Sequence, residues 1–77
     1  MKLYLLTKET DGLDEYDACV VCAKDEEDAL TIHPDGGIFV ENSRHSAWAK
    51  HKSEITCEQI GTSKGPRGVI LASFNAA

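Results

Sequence analysis

The sequence predicts an α+β domain, a four-stranded antiparallel sheet in the order ββαββ with one short helix on one face. Three observations predict it. Four short apolar runs are parted by loop-forming stretches, one acid-led segment carries a helix cap and ends at a proline, and 77 residues leave room for one domain. The whole chain, 1–77, is therefore read as a single domain, with 35–54 an insert between the helix and the third strand.

Residues 2–7 (KLYLLT) form the first strand. Residues 8–16 (KETDGLDEY) hold a glycine, several acids and no apolar period, so they read as a loop. Residues 17–23 (DACVVCA) carry two adjacent valines and read as a second strand, antiparallel to the first across a hairpin. Asp25, with Asp28 three residues on, resembles a capping box with aspartate in place of the usual glutamate. Glu26, Glu27 and Asp28 then occupy the first turn, where the helix dipole favours negative charge. Ala29, Ile32 and His33 follow at helical spacing, and Pro34 ends a helix spanning 25–33.

The stretch 35–54 is the hardest to read. Ile38–Val40 suggests a short edge strand, and Trp48 an anchor for an otherwise polar loop. Residues 54–61 (EITCEQIG) alternate as a third strand, 63–68 (SKGPRG) are a turn, and 69–74 (VILASF) close the sheet.

The second strand points Cys19, Val21 and Ala23 one way and Ala18, Val20 and Cys22 the other. The last points Val69, Leu71 and Ser73 against Ile70, Ala72 and Phe74. Strands apolar on both sides call for cover on both sides, and one short helix covers one. Either 35–54 covers the second face, or a second copy does through Val20, Cys22, Ile70 and Phe74 or their alternates Val21 and Leu71. The second case predicts a homodimer.

A chain this short builds a core worth only about 5 kcal/mol of net stability. That leaves little room for a water-free active site, and no nucleophile, base and orienting acid can be assembled, so a non-enzymatic protein is expected. The opening residues lack the apolar stretch of a signal peptide or membrane helix. The expectation is a cytoplasmic protein with reduced thiols and no membrane partner.

Zinc or redox chemistry at Cys19 and Cys22 requires both sulfurs at one point. On a strand, three residues separate the α-carbons by about 10 Å and send the side chains to opposite faces. His33, His45, His51 and Cys57 fit no common metal spacing. The GTSKG stretch (61–65) falls short of a phosphate loop, and DGLDEYD (11–17) of a calcium loop. No cofactor or metal is expected; the alternative is a small metal- or thiol-dependent protein using Cys19, Cys22 and a histidine.

Charge is the feature that stands out. Residues 9–28 carry a net −8, and the rest of the chain a net +3. The candidate partner-binding residues are Asp11, Asp14, Glu15, Asp17, Asp25, Glu26, Glu27 and Asp28, with Trp48 as a secondary contact. Eight charges imitate roughly 14 Å of duplex, about four base pairs. Such a surface repels nucleic acid and suits a basic site that binds it; the plainer reading is a solvated face that maintains solubility.

The strings MKLYLLT, YDACVVCA, EEDA with IHP, and GVILASFNA resemble a family of small phage and prophage proteins. The likeness covers both ends, about half the chain, and departs over 35–54. It supplies no catalytic residues. It implies an accessory protein made inside an infected bacterium, where small acidic proteins bind and block host machinery such as CRISPR effector complexes. The resulting expectation is an anti-CRISPR or other anti-defence protein whose acidic surface occupies a basic, nucleic-acid-binding site on a host protein complex.

Overall fold

Strands β1 (Lys2–Thr7) and β2 (Glu15–Ala23) form an antiparallel pair, helix α1 (Glu26–Ala29) follows, and β3 (Thr56–Thr62) and β4 (Gly68–Asn75) complete the sheet. These elements come from a computed structural model that describes residues 1–9, 14–43 and 47–75. The sheet runs β3-β1-β2-β4 with every neighbouring pair antiparallel, so the first hairpin is central and the last two strands are the edges. This is the predicted α+β architecture.

The helix is shorter than predicted. Asp25 caps it as expected, its carboxylate accepting the Asp28 N–H at 2.8 Å. The Asp28 carboxylate reaches back to the Lys24 N–H at 3.1 Å, one residue before the cap. After Ala29 the chain tightens, with the Thr31 and Ile32 amides bonding carbonyls three residues back. Ile32 then pairs with Ile38 in an isolated bridge, and Gly36, at φ 96°, supplies the left-handed position the intervening turn needs. Competition from this turn, rather than Pro34 alone, ends the helix.

The predicted edge strand at Ile38–Val40 does not form. Beyond the Ile32 bridge these residues join no ladder, and Ile38 is 80% exposed while Phe39 packs on the core. Trp48 does anchor its segment, at 5% exposure, and the Ala47 carbonyl accepts the Tyr16 N–H at 2.8 Å.

All this cover lies on one side. Tyr4 and Leu6 of β1 and Cys19, Val21 and Ala23 of β2 pack with Ala29, Ile32, Trp48 and Ala49 in a single core. The described residues of 35–54 thus share the face of the helix, and among the described residues the opposite face is left largely open. Leu3, Leu5 and Val20 lie on that face beside Leu71, which is 68% exposed. Only Cys22 is fully buried there, its Sγ 3.6 Å from the Gly65 carbonyl of the crossing β3–β4 connection.

A bulge in β4 separates two residues predicted to share a face. Val21 stands opposite Val69 and Val20 opposite Leu71, so Ile70 is an extra residue in the ladder. Val69 consequently joins Ala72 against the core while Leu71 turns to the open face. A second shift sets Asp17 as an extra residue of β2, and Tyr16 meets Phe74 edge to face at 4.9 Å.

Candidate functional site: the carboxylates and thiols

The acidic residues do not form one patch. Glu15 opens β2 and Asp25 follows its end, and the eight steps from Glu15 to Ala23 span roughly 26 Å. The longest dimension of the fold is 34 Å. One group of carboxylates therefore sits at each end of the molecule. The described carboxylates, close in sequence, are divided because an extended strand runs between them.

Within each group the carboxylates differ in availability. Glu15 holds the nearly buried Lys8 ammonium at 3.2 Å. One oxygen of Asp17 is buried at the bulge with no hydrogen-bond partner among the described residues. Asp14 is exposed and adopts φ 63°, with its N–H donating to the Asn75 carbonyl at 2.6 Å. Asp11 lies outside the described residues.

At the other end, Asp25 is committed to the cap and Asp28 to Arg67, whose Nε stands 2.9 Å from its carboxylate. The Lys24 N–H bond above all holds the Asp28 carboxyl below its ordinary pKa; burial opposes it, and the hydrogen bond and charge of Arg67 add to the lowering. Glu26 and Glu27 are exposed, and neither carboxylate bonds to another described group. These two remain available for an outside cation.

The cysteines are arranged for packing. Cys19 and Cys57 flank Leu6 on the covered face, two strand spacings or about 9.6 Å apart at the backbone, beyond disulfide reach. Cys22 lies on the opposite face, so Cys19 and Cys22 cannot share a metal. Burial pushes the Cys19 thiol up to about 11, with the nearby Cys57 adding to it. Burial and the charge of Glu26 likewise raise Cys57. Burial raises Tyr4 as well, helped by Cys57, Asp25 and Glu26. Both of these thiols are protonated at neutral pH, the unreactive form.

The histidines are dispersed. His33, predicted within the helix, is buried in the turn beyond it, its Nδ1 3.0 Å from the Asp35 N–H and its ring edge-on to Tyr16 at 5.8 Å. His51 stands 3.6 Å from Glu41, and His45 lies outside the described residues. Among the described residues no three potential metal ligands cluster. Trp48, expected as a secondary partner contact, is a core residue with little of its ring on the surface.

The exposed apolar residues of β4 were legible only in part. The run VILASF predicts a strand, but nothing in it shows that the strand is an edge or that Ile70 leaves the ladder. No helix among the described residues is long and apolar enough to cross a membrane. No family model matches this sequence, and no curated protein and no solved structure is significantly similar to it. The likeness to small phage proteins rests on the sequence strings alone.

Proposed function

We propose that this chain is a small phage-type, non-enzymatic binding protein that inhibits a host protein complex, setting the carboxylates at its helix end against a basic, nucleic-acid-binding surface. The observation that carries this reading is the state of Glu26 and Glu27: exposed, without a bonding partner among the described residues, and held on a turn fixed by the Asp25 cap. A preset pair of carboxylates loses little freedom on meeting a cation. The footprint is smaller than eight contiguous charges would make. It suits a local basic groove rather than a long duplex channel.

The test is capture of partners from a bacterial lysate by the parent and by Glu26→Lys/Glu27→Lys. Contacts of this kind are charge-charge and near solvent, so the parent should release its partner as salt rises, and the double variant should capture much less. Glu58→Lys, on β3 and away from the helix end, is the control. Asp14→Asn with Glu15→Gln tests the other end without forcing lysine into the left-handed backbone at Asp14. A folded Glu26→Lys/Glu27→Lys protein that captures the same partner equally well would sink the proposal.

A further inference from the structure

We infer that residues 63–67, the β3–β4 connection, form a strap that lifts off Cys22 as a unit while the sheet stays folded, with Arg67 as its clasp. The inference is independent of the partner-binding reading.

The strap accounts for an exception on the open face. Leu3 and Val20 are part exposed there, yet Cys22 beside them is fully buried. The strap covers it: the Cys22 thiol donates to the Gly65 carbonyl at 3.6 Å. The strand order makes this crossing necessary, because a connection between the two edge strands has to pass the ends of β1 and β2.

What holds the strap down is polar and close to solvent. At one end the Ser63 N–H donates to the Met1 carbonyl at 2.8 Å, and the Met1 ammonium donates to the Ser63 carbonyl at 3.0 Å. At the other, Arg67 Nε donates to both Asp28 oxygens, at 2.9 and 3.1 Å, and Nη2 to the Thr31 hydroxyl at 2.9 Å. Among the described residues the strap gives no side chain to the core. A segment with little buried apolar surface and exposed hydrogen bonds opens well before the whole fold does. Gly68, at φ 144° where the strap joins β4, supplies a hinge that tolerates the change of backbone angle.

The clasp sets how often the strap opens. Its guanidinium is 45% exposed and its carboxylate 15%, so solvent weakens the pair. Losing it raises the open population several-fold and leaves the closed state dominant. Cys19 reports a different event. It lies in the core on the far face, so reaching it requires the sheet and its cover to part.

Iodoacetamide labelling of the native chain tests this, at reagent levels where rates scale with concentration. Peptide masses give the rate at each cysteine, corrected by its rate in denaturant. Cys22 should react about tenfold or more faster than Cys19. Its rate should depend only weakly on urea, because lifting the strap exposes little surface, whereas Cys19 should follow the steep dependence of global unfolding. Arg67→Ala should speed Cys22 about fivefold without steepening that dependence. Lys64→Ala, in the strap but outside the clasp, should not. Hydrogen exchange needs no variant to fold: the Ser63 amide should open with the shallow dependence, and the Leu5 and Val20 amides with the steep one. Equal, equally steep rates at Cys19 and Cys22 overturn the inference, as does an Arg67→Ala protein whose Cys22 reacts no faster. A Ser63 amide that exchanges only through global unfolding overturns it too.

Discussion

Asp28 and Arg67, 39 residues apart in sequence, meet at 2.9 Å and tie the short helix to the β3–β4 connection. Arg67 also donates to the Thr31 hydroxyl at 2.9 Å, just beyond the helix end. Two features that look local in sequence, a helix cap and a turn cluster, are thereby one structural unit.

This pairing sets an acid dependence. The Asp28 carboxyl is depressed in the folded chain, so its contribution is fully present above its unfolded value of about 4 and is lost as pH falls through the folded value. Urea midpoints should therefore drop on acidification below about pH 4, and Asp28→Asn should flatten that part of the profile. Arg67→Ala should cost up to about 1 kcal/mol, because the pair is partly exposed.

Core and surface leucines should separate cleanly in denaturant melts. Leu6 is fully buried between Cys19 and Cys57, and Leu6→Ala should cost about 3 kcal/mol through lost burial and the cavity left behind. Leu71→Ala removes a similar side chain from solvent and should change folding stability by no more than about 0.5 kcal/mol at dilute concentration. Equal losses at the two sites would contradict the one-sided core.

Thiol labelling at neutral pH should be slow and confined at first to Cys57, the one cysteine that is not fully covered. Its raised pKa keeps the thiolate scarce, so the rate should climb with pH. Cys19 and Cys22 should react only as the protein opens, and all three together in denaturant. Fast labelling of Cys19 in the native protein would revive a thiol-based activity.

Deleting single residues of β4 tests the bulge. Without Ile70, Val69 still faces Val21 and Leu71 still faces Val20, so the chain should fold with its core unchanged. Deleting Ala72 instead shifts the residues beyond it by one position and turns Phe74 away from Tyr16. The urea midpoint of the second deletion should fall well below that of the first.

The sequence by itself determined the four strands and the helix and their order, because these depend on short-range patterns. Alternating apolar runs marked the strands, Asp25 marked the cap, and the odd spacing of Cys19 and Cys22 put their thiols on opposite faces. Tertiary structure decided the rest. Ile70 leaves the ladder because the register of β4 against β2 is a long-range property, and one extra residue puts Val69 and Leu71, predicted on one face, on opposite faces. The described residues of 35–54 join the helix side because Trp48 finds its apolar contacts there, a choice the segment's polar sequence does not encode. The described carboxylates of 9–28 are neighbours in sequence only; an extended β2 carries them to opposite ends of the molecule, since each strand residue adds about 3.3 Å. Which of them are engaged depends on partners such as Lys8 and Arg67, brought close by the fold and distant or unmarked along the chain.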